Sequence, residues 1–113
     1  MMKSLDDLII YNKALNLVKN IYQLINNNQI LKRDYSLTDQ IKRSSVSVVA
    51  NISEGYFRSI KQTRNYLEIA SGSSNETVTL LKIIFLIYQI ETKELQNEYI
   101  ILGKQINSFS KSF

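Results

Sequence analysis

The chain has 113 residues, the size of one ordinary domain, with 44% hydrophobic and 21% charged side chains, so it holds one core and too little charge for disorder. It has no proline, cysteine or histidine, which excludes a disulfide framework, thiolate or imidazole metal sites, a cysteine nucleophile and the commonest general base, and leaves long helices uninterrupted. The net charge of +4 is uneven: residues 1–31 carry +1, residues 32–64 carry +4 and residues 65–113 carry −1, so the excess suited to phosphate is concentrated in one stretch.

A first helix is predicted over residues 7–26. Leu8, Tyr11, Leu15, Val18, Tyr22 and Ile25 follow alternating steps of three and four, the seam of a helix packed in a bundle. The run Asn26-Asn27-Asn28 ends it, because asparagine competes for backbone hydrogen bonds, and residues 27–36 read as a loop. Ser36 followed by Asp39 resembles an N-cap with an acidic first turn, which opens a second helix over residues 37–55. Its inner face is Ile41, Ser45, Val48 and Ile52, which fall within roughly 60° of one another at 100° per residue. Ser59 and Gln62 form the spacing of a capping box at the start of a third helix, residues 60–89. The centre of that helix, residues 70–79, has little side-chain bulk, with Ser73 and Thr77 facing inward. Thr92 is placed to cap a fourth helix, residues 93–111, whose seam is Leu95, Tyr99, Leu102, Ile106, Phe109 and Phe113. Short connections make neighbouring helices antiparallel. The expected fold is all-α, a single up-down antiparallel four-helix bundle.

The start of the chain, residues 1–8, does not read as a signal peptide. The longest apolar run, residues 83–88, is far short of the roughly 20 residues of a membrane span. A cytoplasmic protein with no membrane partner is expected.

Two groups of polar residues stand out. On the second helix Arg43, Ser47, Ala50, Asn51, Glu54 and Arg58 share one side, opposite the inner face. Their structural reading is a polar network of Arg43, Asn51 and Glu54 with Ser73 and Glu76 of the third helix. Antiparallel pairing about residue 58 sets Arg43 level with Ser73 and within one turn of Glu76, which predicts a charged contact between Arg43 and Glu76, within or between subunits. The second group, Arg58, Lys61 and Arg64, clusters at the turn into the third helix with no acid among its members. With Lys42 and Arg43 these are the candidate nucleic-acid contacts. Glu54 would repel phosphate. The ten carboxylates are scattered, and the closest pairs, Glu91 with Glu94 and Glu94 with Glu98, lie at a helix start where acids offset the macrodipole. There is no glycine-rich phosphate loop, so no enzymatic activity, metal or cofactor is expected.

The run Leu37-Thr38-Asp39-Gln40-Ile41-Lys42-Arg43-Ser44-Ser45-Val46-Ser47-Val48-Val49-Ala50-Asn51-Ile52-Ser53-Glu54-Gly55-Tyr56 closely resembles the signature helix of the 23S ribosomal RNA intervening-sequence proteins, the S23 four-helix bundle family. Asp7-Leu8 with Tyr11, Lys13 and Ala14, and Tyr66-Leu67 with Ile69-Ala70, Gly72-Ser73 and Glu76, are similar to its other two motifs. The chain departs from the pattern at Tyr11, where the family usually has tryptophan, at Lys42, where it has arginine, and at Val49, where it has proline; the last removes an expected kink. The resemblance implies a bundle that assembles into a ring-like homo-oligomer, commonly a pentamer, in a family whose genes lie within insertions in ribosomal RNA genes. The leading expectation is a homo-oligomer that binds structured RNA or DNA through basic surface, mainly by phosphate contacts. The alternative is a protein–protein adaptor or assembly scaffold that does not touch nucleic acid.

Overall fold

The computed structural model describes residues 4, 5 and 8–113. Asp7 of the first motif, and residue 7 as the start of the first helix, lie outside the described residues. Among the described residues five α-helices follow one another: α1 (Ile9–Asn26), α2 (Gln29–Lys32), α3 (Tyr35–Gly55), α4 (Ile60–Tyr88) and α5 (Lys93–Lys111). Four are long and one is a single turn, and no strand occurs among the described residues. The body is 47 Å long and about half as wide.

The buried stripe of α1 is Ile10, Ala14, Leu17, Ile21 and Ile25, not the seam expected from the tyrosines. Of that seam only Ile25 is fully buried. Tyr11 and Val18 are half-buried, while Leu15 and Tyr22 are 43% and 37% exposed. Both stripes have helical spacing. The one containing Ala14 faces the core between α3 and α5, and the tyrosine-bearing one is turned about 100° away, onto the flank beside α3.

Two expectations about the first connection also change. Residues 27–36 are not all loop: α2 forms there because Leu31 is fully buried, and Asn28 ties it back through its side-chain amide to the Leu24 carbonyl at 2.7 Å. The second long helix, α3, starts at Tyr35, with Asp34 and not Ser36 as its cap. The Asp34 carboxylate accepts the Leu37 amide at 3.1 Å with one oxygen and the Tyr88 hydroxyl at 2.6 Å with the other. That tertiary bond pins the start of α3 to the end of α4. α3 then runs unbroken through Val49, with Ile41, Ser45, Val48 and Ile52 all buried as expected.

Pairing along the body is antiparallel. Ser44 and Thr77 share a hydroxyl–hydroxyl bond of 2.8 Å, as do Ser47 and Ser73, joining α3 to the small-residue centre of α4. Between α4 and α5, Ser74 donates to the Tyr99 carbonyl at 2.7 Å and Thr92 to the Leu81 carbonyl at 2.9 Å. Thr92 therefore precedes α5 without capping it with its side chain. Its hydroxyl is committed to α4, and Glu91 accepts the first-turn amide of Lys93 at 2.8 Å. On α5 Tyr99, Leu102 and Ile106 are fully buried. The Tyr99 hydroxyl has no partner among the described residues, and burial pushes its ionisation to higher pH.

Candidate nucleic-acid interface

The α3–α4 turn is set by a close approach of the two helices. At Gly55 a Cβ would lie 2.7 Å from the Tyr66 Cβ, so only glycine lets the backbones meet there. Across the same contact the Thr63 hydroxyl donates to the Gly55 carbonyl at 2.8 Å. Ser59 caps α4 by accepting the Gln62 amide at 3.3 Å. The glutamine half of the expected capping box differs: its side-chain oxygen takes the Ser59 hydroxyl at 3.3 Å and does not reach the Ser59 amide.

Between these fixed points the chain turns through residues 56–58. Phe57 takes a left-handed backbone, φ 65°, which is unfavourable for a bulky residue. The residue is 64% exposed, and its ring lies 4.2 Å from the Tyr56 ring, tilted by 59°.

The three expected cations surround this turn in different states. Arg58 pairs with the Glu54 carboxylate one helical turn back and donates to the Glu54 carbonyl at 3.1 Å, so the cluster is not acid-free. Both side chains are about half exposed, which makes the pair weak and exchangeable. The Arg58 guanidinium also sits 6.0 Å from the Tyr66 ring centre. Lys61 is exposed and in no ion pair among the described residues. Arg64 donates to the Phe113 carbonyl. That bond brings the last turn of α5, with Lys111, to the same end of the molecule. Sequence reasoning missed Lys111 because it stands 47 positions from Arg64 and only the antiparallel return of α5 joins them.

Lys42 and Arg43 are not part of this group. Arg43 is about 18 Å along α3 from Gly55, where the helix ends before Arg58, at 1.5 Å per residue. It is 80% exposed and pairs with Asp39 at 2.9 Å, while Lys42 lies over the Tyr22 ring at 5.1 Å. The expected polar network is also divided. Asn51 donates to the Ser47 carbonyl at 2.8 Å and hydroxyl at 3.0 Å, and Ser47 meets Ser73, so Asn51 and Ser73 belong together. Arg43 is held by Asp39 on its own helix and Glu54 by Arg58 in the turn that follows, and Glu76 is exposed. The Arg43–Glu76 contact does not form within the chain. Asp39 supplies Arg43 with a carboxylate at i−4, and the register sets Ser44, not Arg43, against Thr77. The waist between α3 and α4 is thus a hydroxyl network without buried charge.

Apolar surface remains elsewhere. Leu15, Val18 and Tyr22 of α1 and Val46 and Val49 of α3 are exposed or half-buried. The Lys42–Tyr22 contact puts Val46 level with Val18 on the antiparallel neighbour, so these side chains form one face. A separate open recess of about 590 Å³ between α1 and α5 is lined by Leu8, Ile9, Ile10, Ile101 and Phe109 among others.

These features define an all-helical protein with a hydroxyl-bonded waist, apolar flanks and a basic, aromatic turn at one end. The chain belongs to the 23S rRNA-intervening sequence protein family, whose sequence model matches residues 6–108. Its structure is similar to a crystal structure of a protein of unknown function from the S23 ribosomal protein family of Bacteroides thetaiotaomicron VPI-5482. The TM-score is 0.83 at 25% identity, over 91% of this chain and 99% of that one. No curated protein matches the sequence.

Proposed function

We propose that the chain is a non-enzymatic, self-associating four-helix bundle protein that binds RNA or DNA by phosphate contacts at its α3–α4 turn. The observation that carries this reading is the exposed group Arg58, Lys61 and Arg64, gathered with Lys111 at one end of the bundle. Exposed cations on rigid helix ends attract phosphate without distinguishing bases. The family's name ties it to intervening sequences of 23S rRNA, which agrees with an RNA ligand. Self-association is supported by the apolar face of α1 and α3 and the recess between α1 and α5. Two unlike apolar faces on one chain suit head-to-tail contact, the geometry that closes into a ring such as a pentamer. A ring would repeat each basic turn once per subunit, so several phosphates are engaged together.

The test is a salt titration of RNA and duplex DNA binding for the wild type and for a variant with Arg58, Lys61 and Arg64 all replaced by glutamine. Wild-type affinity is expected to fall steeply as salt rises, and the variant to bind more weakly with a flatter slope. No binding at about 50 mM salt, or an unchanged slope in the variant, refutes the reading.

One observation favours an adaptor as the second reading: Phe85, Leu86 and Ile87 are 44%, 72% and 59% exposed at the end of α4. An apolar protein contact there would be nearly insensitive to salt.

A further inference from the structure

We propose that the α3–α4 turn binds an unpaired segment of nucleic acid, with a base stacked on Phe57 and the flanking phosphates held by Lys61 and Arg58. This rests on the nucleic-acid reading above and narrows it from backbone binding to a single-stranded ligand. The first reason is what the chain tolerates at Phe57. A phenylalanine with φ 65° is unfavourable where glycine or asparagine would be relaxed. Burial does not compensate, because the residue is 64% exposed. The strained backbone lifts an aromatic face into solvent, and the Tyr56 ring at 4.2 Å supports it from the side.

The second reason is charge. Arg58 and Lys61 lie one and four residues from Phe57, and Arg64 a further turn along α4. An apolar protein partner would meet these cations as a desolvation cost. A base with its phosphates meets both the ring and the charge, the combination by which single-stranded nucleic acid is held without sequence reading. In a duplex the bases are already stacked on each other and leave the ring unused. Glu54 is displaced by an incoming phosphate at little cost, since its pair with Arg58 is solvent-exposed.

The experiment compares binding of a single-stranded RNA of about 12 nucleotides, carrying one 2-aminopurine, with a blunt RNA duplex of the same length at about 50 mM salt. Phe57→Gly removes the ring and relaxes the backbone, Phe57→Asn does so with a second residue that accepts this conformation, and Phe57→Tyr keeps a stacking face. The wild type is expected to prefer the single strand and to quench 2-aminopurine. Phe57→Gly and Phe57→Asn should lose roughly five- to a hundredfold affinity for the single strand with the salt slope kept, the range for one stacked base. Duplex binding should be unchanged, and Phe57→Tyr should retain both affinity and quenching. If the wild type binds but the Gly and Asn variants keep its single-strand affinity, stacking is overturned and the phosphate reading stands. If the wild type binds neither probe, both fall. A drop in assembly mass for Phe57→Gly, measured by light scattering, would assign the ring to a subunit contact and also overturn the proposal.

Discussion

Replacing a glycine by alanine should move stability in opposite directions at Gly55 and Gly72. At Gly55 the new methyl would stand 2.7 Å from the Tyr66 Cβ, about 1 Å inside ordinary carbon contact. The Tyr66 Cβ is bonded directly to the α4 backbone and no rotamer moves it, so the start of α4 must retreat from α3. That retreat also stretches the 2.8 Å bond from Thr63 to the Gly55 carbonyl. Overpacking of this kind costs about 1–3 kcal/mol and the weakened hydrogen bond up to about 1 kcal/mol. The gain in helix propensity is at most about 1 kcal/mol and less at the last residue of a helix. Gly55→Ala is therefore expected to destabilise by about 1–3 kcal/mol. At Gly72, exposed in the middle of α4, the methyl meets nothing within 4 Å, and alanine should stabilise by about 0.5–1 kcal/mol. Urea unfolding followed by helical circular dichroism at one fixed protein concentration measures both, with an unchanged m-value as the control. If Gly55→Ala unfolds at the wild-type midpoint or above it, the close approach does not constrain this turn.

Other consequences can be measured on the same footing. Hydrogen bonds from the Tyr88 hydroxyl and then the Leu37 amide hold the Asp34 carboxyl below its ordinary value of 3.8. Because the folded value is the lower one, the contribution is complete above about pH 5 and is lost as pH falls through the folded value. Urea midpoints between pH 6 and pH 2 should fall less for Asp34→Asn than for the wild type, and parallel curves would refute the linkage. Tyr99→Phe removes a buried hydroxyl without a partner among the described residues and should raise stability by about 1 kcal/mol; a loss of that size would mean the hydroxyl is hydrogen-bonded. On size exclusion with light scattering the wild type should exceed the 13.1 kDa of one chain at micromolar concentration. Leu15→Glu with Val46→Glu should reduce that mass while leaving helicity intact, and an unchanged mass would clear this face of a role in assembly.

The all-helical class and the two short antiparallel connections were legible from the absence of proline, the Ser59 cap and the 3–4 spacing, because those signals are local. The inner face of α3 and the seam of α5 through Phe109 were legible for the same reason, whereas Phe113 lies past the end of α5 and is exposed. What failed was any choice that depends on a neighbour. Ser36 is as good a cap as Asp34 by residue type, and Tyr88, 54 positions away, decides between them. Thr92 reads as a cap until Leu81 of α4 takes its hydroxyl. Arg43 was set against Glu76 by axial level alone; the Ser44–Thr77 and Ser47–Ser73 pairs do bring the two positions nearly level, but both side chains face solvent and Asp39, one turn back, takes Arg43. The candidate basic residues were found as a list, but their states were not: Glu54 and Phe113 partner two of the three, and Lys111 joined from the far end of the chain.

The first helix shows why a second apolar stripe is informative. Its sequence carries two: Ile10, Ala14, Leu17, Ile21 and Ile25, and beside it Tyr11, Leu15, Val18 and Tyr22. One core needs only one of them. Periodicity fits both stripes and does not choose between them, and the interior between α3 and α5 takes the one with Ala14, which admits close helix approach. The bulkier stripe is left on the flank, continuous with Val46 and Val49 of α3. A monomer gains nothing from holding these side chains partly in water, whereas a subunit contact would bury them. The mistaken seam and the self-association reading thus have one physical origin: α1 has an apolar face to spare after the core is filled.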